Sequence, residues 1–511
     1  MRRTNILKTA IVGMLEELVA IICAFILPRM ILTYFGSDYN GIIASVTQFI
    51  GCVALLKSGI GMATKAALYS PLYNHDVDKI SGIMSATMKF LRKVALIFVM
   101  GIIIFACIYP FRVKDDFSWS FTASLVLIIS LSTFFQYYFG LGNQLLLEAD
   151  QKYYIVSLIT IVNTLFNTII SVICMKLGMN IHGVKLCSSI VYCSTPVFLN
   201  YYVNKNYKIN RKALPNWKSI SKRWDAFGMQ IANFVNDNTD IIVASIFLDM
   251  KEVSVYTVYH LVINGIKKLI TRISVGAESA LGNLKAESND EKLKNNFLVF
   301  EFVLNFICSF TFSCLIILIV PFVRVYTKGV TDADYVRYGF AIVACLAQLF
   351  YCLRLSYTFM VQATGSFFET KKYFYIEAVI NIVSSIIFVR HIGLVGIVLG
   401  TLFAMIYRTI VFAYFVYKQI IKFSISNYWR RMLITGVCIF INSFVGLYFV
   451  MKIEVTNYIE WFIVAIIVSA ITLFTTGIIY FLQERTMVVK VANTFFKKIR
   501  KNRMVNNGDV D

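Results

Sequence analysis

Asn264, Lys268 and Arg272 stand at i, i+4 and i+8, with Lys267 beside them, inside an otherwise apolar stretch. On a helix that spacing stacks an amide and two cations along one face. Lys57, Lys185, Arg354 and Arg408 also interrupt long apolar runs. Charge within a membrane-crossing helix is costly, so such residues face a cavity, pair with an opposite charge, or extend their stems to the interface. If Lys57, Lys268, Arg272 and Arg354 converge, they make a positive cavity with few acids. Such a cavity suits an anionic cargo, above all a pyrophosphate. Lys185 and Arg408 lie nearer the ends of their runs and are expected to snorkel. Acids enter as well. Asn233, Asn236, Asp237 and Asp240 form a stripe at helical spacing, Glu16 and Glu17 lie more than two turns into the first run, and Glu301 and Glu377 sit nearer the ends of theirs. Desolvation raises a buried carboxyl pKa, so Glu16, Glu17, Asp237 and Asp240 could couple cargo movement to a proton or Na⁺ gradient. The competing arrangement pairs the acids with the intramembrane cations as structural salt bridges.

The elements that must position these groups are transmembrane helices. Hydrophobic residues make up 58% of the 511, with mean hydropathy +0.70, whereas soluble domains are roughly 45–50% apolar. A crossing helix needs about 20 apolar residues. The sequence predicts fourteen: 8–33, 40–65, 87–110, 118–144, 153–176, 181–203, 225–248, 253–278, 297–322, 336–361, 372–390, 394–417, 431–451 and 459–482. The runs are too long and too uniformly apolar for barrel strands. Loops on the N-terminal side and both tails, span edges included, carry 32 of the 49 Lys and Arg, and the opposite loops carry nine. The positive-inside rule then places both termini in the cytoplasm. It also accounts for the net charge of +21 as topology and attraction to anionic membrane lipids rather than nucleic-acid binding. The first run is too long for a signal peptide and contains Glu16 and Glu17, so it reads as a retained helix. The eleven Cys form no CxxC pair and fall mostly in spans, and the four His are far apart, so no metal site is expected.

Two segments match at one offset. Ile181-His182-Gly183-Val184-Lys185-Leu186 aligns with Leu394-Val395-Gly396-Ile397-Val398-Leu399, Tyr201 with Tyr414 and Lys205 with Lys418; upstream, Asn163 resembles Asn381. Residues 1–205 and 225–418 then form two six-helix halves. Six crossings is even, so the halves run the same way, as a parallel repeat. A basic cytoplasmic linker, 206–224, joins them, with Trp217 and Trp224 suited to headgroup level. Helices at 431–482 are an appendix outside the duplication. The 483–511 tail is basic and begins as an interfacial amphipathic helix.

No P-loop, HExxH or nucleophile elbow is present. Outer loops reach only about a dozen residues, which argues against a polymerase or ligase. The expectation is a secondary transporter, not an enzyme, with no cofactor. Tyr34-Phe35-Gly36-Ser37-Asp38-Tyr39-Asn40-Gly41-Ile42-Ile43, then Leu55-Leu56-Lys57-Ser58-Gly59-Ile60-Gly61, resembles the loop-plus-helix signature of Wzx-type polysaccharide and O-antigen flippases. These belong to the multidrug/oligosaccharidyl-lipid/polysaccharide (MOP) exporter superfamily. Ala66-Ala67-Leu68-Tyr69-Ser70-Pro71-Leu72 and Lys79-Ile80-Ser81-Gly82-Ile83 extend the likeness. The sharp motif covers residues 34–93; the general resemblance covers nearly the whole chain. Many relatives carry an acid where Lys57 stands. The resemblance implies a flippase in a bacterial cytoplasmic membrane that moves undecaprenyl-pyrophosphate-linked oligosaccharide between leaflets by rocking of the halves. It further implies a polysaccharide polymerase and glycosyltransferases as partners. Lys268 and Arg272 would bind the pyrophosphate, helped by Arg354, Lys57 and Asn264. A lipid II or teichoic-acid-type flippase, a MATE-like drug exporter and a non-transporting scaffold for glycan assembly are the alternatives; an acidic cavity would favour the drug exporter.

Overall fold

The computed structural model describes residues 2–54, 58–210, 213–220, 238–286 and 290–491. Apolar runs of this length can satisfy their backbone groups in lipid only by forming helices, and the described elements are helices throughout. In chain order they are α1 (Arg2–Phe35), α2 (Ser37–Ala54), α3 (Ser58–Tyr73), α4 (Val77–Ile108), α5 (Trp119–Phe135), α6 (Leu141–Ala149), α7 (Tyr153–Lys176) and α8 (Ile181–Asn206). There follow α9 (Asn238–Phe247), α10 (Met250–Ala286), α11 (Asp290–Tyr326), α12 (Tyr338–Thr364), α13 (Phe367–Phe415), α14 (Ser426–Val450) and α15 (Tyr458–Gln483). Nine described segments are long and apolar enough to cross a membrane. One of them, containing α13, is a hairpin: Ile392 and Gly393 leave the helical region, Gly393 at φ 56°. With α2–α3, α8, α9 and α10, the order of elements is that of the fourteen spans read from the sequence. The protein is an all-α, multi-pass membrane protein.

Local signals set the helix ends. Gly36, at φ 94°, ends α1 in the left-handed conformation that glycine adopts freely. Its N–H reaches the Leu32 carbonyl at 3.2 Å. Asp76 caps α4 by accepting from the Lys79 amide at 3.0 Å, and Asn180 caps α8 by accepting from the Gly183 amide at 2.9 Å. A π-helical turn at Gln136–Gly140 joins α5 to α6, so the two make one crossing.

The chain forms two compact units, residues 1–261 with 329–334, and residues 262–328 with 335–511. The division falls inside α10, whereas the duplication read from the sequence divides the chain at 206–224. The described part of that basic joint lies against unit 1. The Asn216 amide donates to the Gly82 carbonyl at 3.0 Å, the Asn210 amide donates to Ser81 Oγ at 3.0 Å, and Ile220 is fully buried. Trp224 and residues 492–511 of the tail lie outside the described residues.

In unit 1 the start of α2 is tied down by polar contacts. Asp332 accepts from the Ser37 amide at 2.7 Å and its hydroxyl at 2.6 Å, and Asn40 donates to Ser254 at 2.8 Å. Gly41 packs so closely on the Met250 carbonyl that no side chain fits. The Asp38 carboxyl is held above its ordinary value. Burial is the main cause; Lys251 opposes it, and Asp116, Asp332 and Asp249 reinforce it.

The asparagines paired by the sequence repeat make the same kind of bond. Asn163 donates to Thr195 on α8 at 2.7 Å, and Asn381 donates to Thr401, across the α13 hairpin, at 3.2 Å. The two arms of that hairpin touch at glycines. A Cβ on Gly396 would strike the Phe388 backbone and come within 2.8 Å of the Val389 nitrogen. Gly436, also in a helix, has nothing within 4 Å of such a position. Gly396→Ala is therefore expected to lower stability by about 1–3 kcal/mol through overpacking, while Gly436→Ala is neutral or slightly stabilising. Thermal unfolding of the purified protein in detergent checks both.

Candidate functional site

Among the described residues, unit 2 buries charge in two clusters. The first centres on Arg354 of α12 and on Glu377 and Arg408 of α13. Arg354 Nη1 donates to Glu377 Oε1 at 2.6 Å, and Arg408 Nη1 donates to Glu377 Oε2 at 2.5 Å. The side chains of Arg354, Arg408 and Glu377 are 5%, 6% and 0% exposed. Two guanidiniums share one carboxylate, so the triad carries a net charge of +1. Aromatic rings supply part of the compensation. The Arg408 guanidinium lies 3.4 Å from the Phe374 ring centroid and 4.9 Å from that of Phe412. Tyr351 takes Arg354 at 5.1 Å on its ring and Lys267 at 3.9 Å. Such cation–π interactions contribute roughly 0.5–2 kcal/mol each. Arg408 Nε has no hydrogen-bond partner among the described residues.

The second cluster is balanced. Fully buried Glu301 of α11 accepts from Tyr357 at 2.6 Å, Tyr417 at 2.7 Å and Arg431 at 2.5 Å. Arg431 also donates to Glu484, from Nε at 3.1 Å and Nη2 at 3.2 Å, and to the Leu298 carbonyl at 2.9 Å. Arg430 adds a second cation on Glu484 at 3.2 Å. Two cations meet two carboxylates, and Arg431 is fully engaged. This cluster fastens the start of α14 and the residue after α15 to α11.

The residues singled out from the sequence separate. Lys57 and Asp237 lie outside the described residues. Lys268 and Arg272 are exposed on α10 and Asn264 is half-buried. A cation on the exposed face of a membrane helix has to meet water or a counter-charge rather than lipid tails. Arg354 is not presented as an open cation: it is buried and committed to Glu377. Arg408 was expected to snorkel, and the structure corrects this. It is 5% exposed, because Glu377 and two phenylalanines offer it a site inside the unit. Glu16 and Glu17 are half-buried on α1. Asp240 is buried in unit 1 and accepts from the Tyr256 hydroxyl at 3.0 Å. Tyr256 in turn stacks on His260, ring centroids 5.2 Å apart. Sequence reasoning missed this Tyr256–His260 support and the Arg431–Glu484 pair. Residues 256 and 260 are one turn apart, which is a signal, but nothing in the sequence links Arg431 to Glu484.

A different surface feature is apolar. An open groove of about 390 Å³ is lined by Ile317 of α11, Ile441, Asn442 and Val445 of α14, and Val468 and Ile471 of α15. Gly446 lets α14 approach α11 closely, since a Cβ there would strike Ile317. Behind the groove a ladder of buried polar groups holds the helices together. Tyr480 bonds Ser309 at 2.8 Å and Thr435 at 3.0 Å, and Asn442 donates to Thr476 at 3.1 Å.

Comparison with solved structures now places the fold. A lipid II flippase, MurJ, in an inward closed conformation aligns at TM-score 0.68 and 15% identity, covering 92% of this chain and 98% of that one. An inward-facing multidrug resistance MATE transporter of the MOP superfamily aligns at 0.61 and 14%, covering 79% and 97%. A MOP superfamily transporter from Pyrococcus furiosus, described as having a binding pocket of reverse polarity, aligns at 0.52 and 16%, covering 80% and 95%. The fold is that of the MOP transporters. No family model matches the chain, and no curated protein matches it.

The triad makes a direct test of charge balance. Glu377→Gln would leave two buried guanidiniums without a counter-charge and is expected to cost about 3–5 kcal/mol. Arg408→Met leaves Arg354 and Glu377 as a one-to-one pair; it removes the Arg408–Glu377 hydrogen bond and the cation–π interactions with Phe374 and Phe412, and it also relieves the surplus buried charge. It is expected to cost less than Glu377→Gln, about 1–3 kcal/mol. Denaturation of both variants in mixed micelles measures the difference.

Proposed function

We propose that this chain is a flippase that moves undecaprenyl-pyrophosphate-linked oligosaccharide repeat units across the cytoplasmic membrane for surface polysaccharide synthesis. The observation that carries the reading is the apolar groove on α14 and α15. Residues 1–425 are about 83% of the chain, so the 92% match to MurJ must extend into these two helices. The MATE match covers a smaller share, 79% of the chain. A partly open groove walled mainly by Ile and Val suits a polyprenyl tail better than a polar cargo. The cationic side of unit 2 supports the same cargo. Lys268 and Arg272 on α10, beside Lys267, which shares the Tyr351 ring with Arg354 of the net positive triad, suit a pyrophosphate rather than a cationic drug.

In this mechanism Lys268 and Arg272 take the pyrophosphate first. Lys57, Asn264 and the Arg354–Glu377–Arg408 triad add positive potential, while the tail rides in the groove and access alternates. No ATPase is involved; a proton or Na⁺ gradient acting through Glu16, Glu17, Asp237 or Asp240 drives the cycle. Partners are the polymerase and glycosyltransferases that handle the same lipid-linked glycan. A lipid II or teichoic-acid-type precursor is the second reading, favoured by the MurJ likeness.

Two experiments test this. In proteoliposomes with a fluorescent undecaprenyl-pyrophosphate oligosaccharide, Lys268→Ala with Arg272→Ala should reduce flipping at least tenfold while the protein inserts normally. Wild-type flipping by that variant would refute the pyrophosphate site. Separately, Val445→Trp with Ile471→Trp should block the groove and slow flipping of long-chain polyprenyl substrates severalfold more than short-chain ones. Equal slowing of both would remove the tail assignment.

A further inference from the structure

A cavity of about 90 Å³ lies in unit 1 beside the joint that follows α8. Ser85, Lys89 and Arg92 of α4 line it, with Asn143 of α6, Asn204 of α8 and Asn210 of the joint. Ser81, Ser85, Lys89 and Arg92 fall at i, i+4, i+8 and i+11, one face of the helix. Ser85 and Asn143 are more than nine-tenths buried, while Lys89 and Arg92 are exposed, so two cations at the surface and two buried polar groups share the cavity with the apolar side chains of Met84, Met88, Val203 and Ile209. Among the described residues no carboxylate lines it. Among the described residues no acid pairs with Lys89 or Arg92; the Arg92 guanidinium is steadied over the Tyr138 ring at 5.3 Å. Asn143 is oriented by its bond to Asn200 at 3.3 Å. A water needs about 10–15 Å³ of such space, so the cavity has room for a phosphate group.

We propose that this cavity is a binding site for the phosphate group of an anionic ligand. Two cations, three amides and two hydroxyls with no acid among them select a phosphate group of net negative charge over a cation, a sugar or a zwitterionic headgroup. On the orientation given by the basic loops, the site sits at the depth of the cytoplasmic headgroups, where anionic lipid concentrates. A lipid headgroup and a soluble phosphate share this chemistry. The ligand has a structural consequence. Asn210 forms part of the wall, and its amide is bonded to Ser81. A bound phosphate therefore bridges the joint to α4, α6 and α8 and fastens it to unit 1. The site is independent of the transport reading.

The test uses the full-length protein in nanodiscs of phosphatidylcholine alone, of phosphatidylcholine with phosphatidylglycerol, and of phosphatidylcholine with inorganic phosphate in the buffer. Thermal unfolding and native mass spectrometry of retained lipid are read for wild type, Lys89→Gln with Arg92→Gln, and Lys93→Gln. Lys93 is the control: exposed, on the same helix and at the same depth, but not in the cavity wall. Phosphatidylglycerol should raise the melting temperature of wild type and Lys93→Gln alike. The double variant should need roughly tenfold more lipid for the same shift, as expected when charge-assisted bonds are removed. A shift from inorganic phosphate alone, again absent in the double variant, assigns the site to a soluble phosphate. Equal weakening by Lys93→Gln would reduce the effect to diffuse surface potential and overturn the site. Absence of any shift with either anion would overturn it too.

Discussion

A carboxylate removed from water inside a membrane has to be met by cations and hydroxyls held in place, or it cannot remain charged. Glu301 and Glu377, both fully buried, impose that constraint on unit 2. Each one gathers side chains from distant parts of the chain. Glu301 draws Tyr357 from α12, Tyr417 from the turn after α13 and Arg431 from α14. Glu377 draws Arg354 and Arg408. In lipid, apolar packing between helices gains little over packing against acyl chains, so these polar contacts specify which helices are neighbours. The core around them is aromatic, with Phe297, Phe412, Tyr417 and Tyr428 almost wholly buried.

The two clusters differ in charge balance, and this gives them different consequences. Around Arg431 the cations and carboxylates are equal in number and each guanidinium nitrogen of Arg431 has an acceptor. Such a network gains nothing from a further ion and serves to hold α14 and α15 in place. Around Glu377 one positive charge is left over, and the Arg408 Nε donor has no partner among the described residues. An uncompensated charge in low dielectric extends its potential further than one in water. The triad therefore biases its surroundings toward anions even though none of its members is exposed. Arg354 is buried within the triad, whereas Lys268 and Arg272 are exposed on α10.

How much was legible follows from which forces are local. The spans were legible because each depends only on a run of apolar residues and its own backbone. The break at Gly393 was legible too, since a glycine between two apolar runs marks a turn, and the structure folds α13 there. Pairings between helices were not. Glu377 and Arg408 are separated by 31 positions and Arg431 and Glu484 by 53, and no periodicity connects them. Arg408 was misread because position within a span predicts snorkelling only for a cation without a buried partner. The π turn at Gln136–Gly140 had no sequence signal at all. Lys57 and Asp237, two members of the expected site, fall outside the described residues.

The fold alone is shared by multidrug resistance transporters and a lipid II flippase, so the cargo has to be argued from features that vary within it. Two such features agree here. The sign of the intramembrane charge in unit 2 is positive, which opposes a cationic drug. Helices α14 and α15 carry an apolar groove and are fastened by a buried ion-pair network that costs desolvation energy to build. A chain that moved only small soluble cargo would gain nothing from either the groove or its fastening. On the proposed reading, a cargo with an anionic head and a long apolar tail would use both at once, the head against α10 and the tail against α14 and α15.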